Sequence, residues 1–225
     1  MNMRLAVGRL GVVDYGVATA LQERCVAERT EGGDDVLLLL EHPPVYTLGR
    51  GADPRFLGAA AGHDVPIVRT SRGGQVTYHG PGQLVGYPIV DLRNHRCDVR
   101  WYVRQLEGVV IRALARLDLD AERCPGAPGV WTRGHKVASI GIAIRRWVTW
   151  HGFALNVGGD LAAFEHITPC GLDGVRMTSL AREGVRSSVE DVATVVREEF
   201  VDLFGYASWR DLDADASLPG REVWA

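Results

Sequence analysis

Three separated stretches of this chain carry side chains able to do covalent chemistry. The first is Arg72-Gly73-Gly74-Gln75-Val76-Thr77-Tyr78-His79-Gly80-Pro81-Gly82-Gln83. Its glycines let the backbone take positive φ and let a ligand approach main-chain N–H groups closely. A hairpin with glycine turns accounts for the glycines and leaves Arg72, Gln75, Tyr78, His79 and Gln83 unexplained. No Gly-Lys-Ser/Thr follows, so it is not a P-loop, and no GxGxxG opens a helix, so it is not a dinucleotide fingerprint. The second stretch, Gly134-His135-Lys136-Val137-Ala138-Ser139-Ile140-Gly141, sets a lysine at the head of an apolar strand, where desolvation disfavours the charged form of an amine. The third, Thr168-Pro169-Cys170-Gly171-Leu172, places a cysteine in a loop between proline and glycine.

Lys136 is the only lysine among 25 basic residues. Arginine replaces lysine on a solvated surface at little cost, but it stays protonated at any physiological pH and cannot serve as a titratable amine. A free thiol with pKa about 8.5 is only a few per cent thiolate near pH 7, so a catalytic cysteine needs a base or a cation beside it. Lys136 is one candidate. His79, His135, His151 and His166 are competing bases, and a Cys/His pair stays open at this point.

The elements that must position these residues follow from periodicity. Residues 14–29 space Val17, Leu21 and Cys25 along one helical face, with Asp14 as its cap. Val36 to Leu40 reads as a buried strand ended by His42-Pro43-Pro44, and Val45 to Leu48 resumes an extended path. From Pro66 to Val90 short strands alternate with glycine turns. Asp98 opens a helix with Val99, Tyr102, Val103, Leu106, Val110, Ala113, Leu114 and Leu117 on one stripe. Residues 136–144 and 147–155 read as adjacent strands; Arg145-Arg146 is poor type I′ chemistry, so a connection looser than a two-residue turn is expected. A last helix starts near Ser187, which forms a capping box with Glu190. The segment from Asp211 is expected to fray. Strands followed directly by strands, between three helices, predict an α+β fold with a mixed sheet and flanking helices. No linker divides the chain, so residues 1–225 are expected to form one domain, with about 205–225 as its tail.

Composition narrows the function. Apolar residues are 46% and charged residues 24% of the chain, an ordinary globular balance. A net charge of -3 supplies no cationic field for phosphate backbones, so no nucleic-acid partner is expected. The longest aliphatic run, Val36 to Leu40, is far shorter than a membrane helix, and the first fifteen residues lack the apolar stretch of a signal peptide. No membrane partner and a cytoplasmic location are therefore expected. Four scattered cysteines without a CxxC pair suggest neither a disulfide framework nor structural zinc.

Taken in order, Arg72 to Pro88, Gly134 to Gly141, His151-Gly-Phe-Ala-Leu-Asn and Thr168-Pro-Cys-Gly closely resemble the lipoyl(octanoyl) transferase family, and the likeness runs from about Glu41 to Leu180. The resemblance implies the biotin/lipoate protein ligase-like fold and transfer of an octanoyl group from acyl carrier protein to a lysine of a lipoyl domain. It implies Cys170 as the acyl-thioester nucleophile and Lys136 as the residue that activates it and handles protons. Arg72, Gly73, Gly74, Gln75, Val76, Thr77, Tyr78, His79, Ser139, Ile140, Gly141, Gly152, Phe153 and Ala154 match the segments lining the acyl pocket. The implied partners are acyl carrier protein, the lipoyl domains of 2-oxoacid dehydrogenase E2 subunits and the glycine cleavage H protein. No cofactor, ATP or metal is implied, because the acyl group arrives activated on phosphopantetheine. An ATP-dependent lipoate or biotin ligase on the same fold, a non-catalytic carrier-binding module and a Cys/His thioester hydrolase are the rival readings. Exposed arginines, Arg72 among them, are expected to steer acidic carrier domains.

Overall fold

The structure, a computed structural model, describes residues 4–62, 64–168 and 174–212. Its frame is an eight-stranded mixed sheet in the order β11-β1-β2-β6-β10-β9-β8-β7. The strands are β1 (Leu5–Val12), β2 (Asp35–Glu41), β6 (Gln83–Ile89), β7 (Glu122–Cys124), β8 (Ala127–Thr132), β9 (His135–Arg145), β10 (Val148–Asn156) and β11 (Trp209–Asp211). β1 runs parallel to β2 and β11, and every other neighbouring pair in this sheet is antiparallel. A smaller sheet, β4-β3-β5, is built from Ile67–Arg69, Val45–Leu48 and Val76–His79.

β2 shows why its sequence is an unbroken aliphatic run. Leu37 and Leu39 enter one core with α2 (Val99–Arg116) and α3 (Val189–Phe204), while Val36, Leu38 and Leu40 enter a second core beneath α1 (Tyr15–Thr30). A strand covered on both faces has no polar side to alternate. A third cluster, with Tyr46, Val76, Leu161 and Phe164, joins the small sheet to the turns at Pro54–Gly62 and Ala162–His166.

The expected α+β architecture with flanking helices is the one observed, with several local corrections. Asp14 caps α1 through Gly16 N–H at 2.7 Å, but the buried face is Ala18, Leu21, Gln22, Cys25, Val26 and Arg29, and Val17 is exposed. Each four-residue step overshoots a helical turn by about 40°, so Val17 drifts off the face that Leu21 and Cys25 share. Val99, in the first turn of α2, is likewise exposed and Val103 is only half-buried, whereas Tyr102, Leu106, Val110, Ala113, Leu114 and Leu117 pack inward, with Asp98 capping Trp101 N–H at 3.0 Å. α3 is capped one residue later than expected, by Ser188 with Asp191, because two adjacent serines each precede an acidic residue at the right spacing. β9 and β10 do join by a two-residue turn: Arg145 pairs with Val148, and Arg146 and Trp147 take φ of 52° and 68°. The long ladder imposes a turn that the two side chains disfavour, at a cost on the order of 1 kcal/mol per residue. Of the tail expected to fray from Asp211, Asp211 belongs to β11, which pairs with β1, and Leu212 N–H donates to Val7 O at 2.8 Å, while 213–225 lie outside the described residues. No helix of the described residues is long and apolar enough to cross a membrane.

Candidate functional site

Two of the three reactive stretches, together with the His151–Asn156 motif, contribute to one narrow cavity, while Cys170 of the third stretch lies outside the described residues. Arg72, Gly74 to Thr77 and His79 come from the loop entering the small sheet and from its strand β5; Ser139 to Gly141 come from β9 and Gly152 to Ala154 from β10. Pairing of Ser139 with Ala154 and of Gly141 with Gly152 sets small side chains opposite one another, which leaves the space open. Two expected lining residues fall outside the wall. Gly73 donates its N–H to Ile142 O at 2.8 Å and so pins the loop to β9, while Tyr78 packs against Tyr46 and Phe164 in the third cluster. Tyr15 of α1, Tyr87 of β6 and His151 complete the wall. His151 had been considered only as a base, and nothing in the spacing of Tyr15 or Tyr87 reveals that the fold brings them here.

Arg72 does not steer partners. It is buried, and its guanidinium donates to Thr47 O at 2.6 Å, Thr47 Oγ1 at 2.7 Å, Gln75 O at 2.9 Å and Gly73 O at 3.0 Å. A delocalised cation fixed by carbonyls shapes the loop and projects a positive potential into the cavity. His79 is buried against Gln83 at 2.7 Å, and burial, reinforced by repulsion from His42, holds its pKa well below the ordinary imidazole value. Burial, with the Arg72 charge second, lowers the His151 pKa to about 4. Burial also lowers that of His42, which contacts Val13 O at 2.7 Å and Tyr87 Oη at 2.8 Å. The wall imidazoles, His79 and His151, are therefore neutral at pH 7, and Arg72 is the charged side chain of the wall.

These three histidines make stability depend on pH. Each has a folded-state pKa below its unfolded value, so the unfolded chain binds more protons as pH drops and the folded state is penalised. The contribution is complete above about pH 6.5 and is lost as pH falls, for His151 down to about pH 4. That interval is worth about 3 kcal/mol for His151 alone. Urea midpoints are expected to fall steadily from pH 7 to pH 4.5, and His151→Asn, which tolerates the same backbone angle, is expected to flatten the slope. An unchanged slope in the variant means that His151 does not take up the proton.

Lys136 stands at the start of β9 and is 1% exposed. Its Nζ donates to Pro128 O at 2.7 Å and lies 5.6 Å from the Trp131 ring centroid. Gly129 makes room for it: a Cβ there would stand 2.5 Å from Lys136 Cε, and the residue's φ of +130° is one that L side chains rarely adopt. Glu107 of α2 accepts from Gly129 N–H at 3.1 Å and from Arg123 Nε at 3.1 Å, so the turn under the amine is anchored to the helix layer. Lys136 N–H donates to Arg176 O at 2.9 Å and Thr178 N–H to Lys136 O at 2.9 Å, which ties the downstream end of the Cys170 segment to the lysine. Cys170 itself lies outside the described residues. Thr168 and Gly174, which bracket its segment, line one cleft together with His135, the neighbour of Lys136. His166 sits 3.4 Å from Tyr46 Oη, with Tyr46 in the third cluster.

The sequence from residue 14 to 201 matches the lipoyl protein ligase A/B catalytic domain. A Nostoc protein named octanoyltransferase is 48% identical over 198 residues, covering 87% of this chain and 90% of its own. The octanoyltransferase of Gloeobacter violaceus is 50% identical over 197 residues, covering 87% and 88%. Among solved structures, the bipartite lipoate protein ligase of Thermoplasma acidophilum shares the fold with a TM-score of 0.75 at 17% identity, over 94% of this chain and 88% of its own. Lipoate-protein ligase A bound with ATP gives 0.73 at 17% identity, over 95% and 90%. The chain belongs to the lipoyl protein ligase A/B catalytic-domain family, and within it to the octanoyltransferases.

Proposed function

We propose that this octanoyltransferase works in the cytoplasm in two steps, taking its acyl group from the phosphopantetheine arm of acyl carrier protein and passing it to a lysine of a lipoyl domain. In the first step the Cys170 thiolate attacks the thioester carbonyl carbon, the pantetheine C–S bond breaks, and the leaving thiolate takes up a proton. One thioester replaces another at nearly equal free energy, so no ATP or metal is needed. In the second step the acceptor amine attacks the Cys170 thioester, the C–S bond breaks and an amide forms. The amine's proton must be removed and the cysteine sulfur leaves as a thiolate. Lys136 serves both steps, as a cation favouring the thiolate and as an amine accepting a proton. The acceptors are the lipoyl domains of 2-oxoacid dehydrogenase E2 subunits and the glycine cleavage H protein.

The observation that carries this reading is that the glycine-rich loop, the strand headed by Lys136 and the strand from Gly152 to Ala154 enclose one cavity free of charged side chains apart from Arg72. Each methylene buried there contributes about 0.8 kcal/mol, so an apolar slot supplies much of the donor affinity. The test is intact-mass analysis of the full chain after exposure to octanoyl acyl carrier protein without nucleotide. One octanoyl group is expected on the peptide containing Cys170, and it is expected to disappear when a lipoyl domain is added. An absolute requirement for ATP, with no adduct in its absence, assigns the chain to ligase chemistry instead. Release of free octanoate without an acceptor points to a hydrolase.

A further inference from the structure

The cavity ends at an unusual point of the main sheet. Pro88 lies in β6 and has no N–H to offer its neighbour β10. Pairing along this seam is interrupted beyond Gly86–Phe153 and resumes at Asp91–Val148, and in the gap His151 takes φ of +55°. Its N–H donates instead to Gln22 Oε1 at 2.8 Å. Side chains normally alternate along a strand, yet the rings of Trp150 and His151 stack at 4.5 Å. The imidazole therefore stays on the α1 side, 3.0 Å from Ser71 Oγ. There it forms a wall common to two cavities. Tyr15 and His151 line both the narrow slot and an open cleft of about 380 Å³ between α1 and residues 68–71.

The length of the slot matches its ligand. Lys136 lies upstream of Ser139 on β9, so the reacting end is assigned to the Ser139–Ala154 pair and the far end to the level of His151, which pairs with Ile142. Those levels are three residues apart, about 10 Å along a strand. An extended eight-carbon chain, with bonds and angles like those of other saturated carbon, spans about 9 Å. We propose that Tyr15 and His151 form a partition that ends the acyl slot after eight carbons, and that the open cleft behind it admits the distal methylenes of longer chains once the partition is opened. This rests on the acyl-transfer reading above.

The experiment compares octanoyl-, decanoyl- and dodecanoyl-pantetheine thioesters as donors to the full chain in single-turnover acylation read by intact mass. Wild type is expected to prefer octanoyl to dodecanoyl by on the order of a hundredfold, since a longer chain that meets the closed partition must buckle and withdraw about three to four of its own methylenes from the slot. His151→Gly accepts the positive φ without strain, and Tyr15→Ala opens the partition from the helix side. Each is expected to narrow the preference at least tenfold. Folded variants, with melting temperatures close to wild type, that keep the wild-type preference overturn the partition. Calorimetry with free octanoate and dodecanoate tests the same point without catalysis: a rise of tenfold or more in dodecanoate affinity of His151→Gly is expected, and none overturns it. Failure of wild type to form any adduct while the calorimetric shift holds counts against the acyl-enzyme and not against the partition.

Discussion

Cys170→Ser is expected to abolish octanoyl transfer, and Lys136→Arg to slow it by about 10²–10⁴-fold, the range that a positioned proton-transfer group supplies. The two variants fail for different reasons. A serine hydroxyl presents almost no alkoxide near neutral pH and has lost the nucleophilicity of sulfur, so no acyl adduct should accumulate. Lys136→Arg keeps a cation near the loop but removes the group able to accept a proton from the incoming amine. Acylation is expected to be affected less than the second step, so an octanoyl adduct should persist when a lipoyl domain is added. The niche sharpens the expectation. The amine donates to Pro128 O, and Gly129 leaves no spare room along the side chain, so a guanidinium cannot occupy the same place. Lys136→Met, close in volume and uncharged, separates geometry from charge; it is expected to lose both steps while melting near the wild-type temperature. Single-turnover mass measurements resolve the two steps, and wild-type turnover by Lys136→Arg removes the proton-handling role.

Gly152→Ala is expected to cost more than about 4 kcal/mol and to prevent isolation of a stable fold. An added Cβ would stand 2.2 Å from Gly86 O and 2.6 Å from Pro88 Cδ. Both atoms belong to β6 in the centre of the main sheet, where a close-packed interior leaves no compliant neighbour. Gly152 and Ala154 also line the cavity, where they pair with Gly141 and Ser139 on β9. Chemical denaturation with circular dichroism measures the loss. A change under 1 kcal/mol means that β6 and β10 can part without penalty.

Much of the site was legible in the residue order because its chemistry constrains residue types. A single lysine in an arginine-rich chain, a cysteine between proline and glycine, and glycine spacing that admits a ligand leave marks independent of the fold. The resemblance of the four motifs supplied their roles. Gly73 and Tyr78 were assigned to the wall only because they lie between residues that are on it. In a turn and on a strand, neighbours face different ways, so contiguity in sequence overstates contiguity in space. Arg72 looked like a surface cation because arginine usually is one, and only the converging carbonyls of Thr47, Gly73 and Gln75 show otherwise.

By itself the sequence determined the alternation of helix and strand and the buried character of β2, since these depend on local periodicity and side-chain chemistry. Tertiary structure alone decided that Tyr15, from the first helix, faces His151 across a cavity, that Arg146 and Trp147 turn in two residues, and that β10 twists His151 inward opposite Pro88. The physical reason is that each depends on which strands become neighbours. Long-range pairing in the sheet sets the register, and the register then imposes backbone angles and contacts that the local residues would not choose.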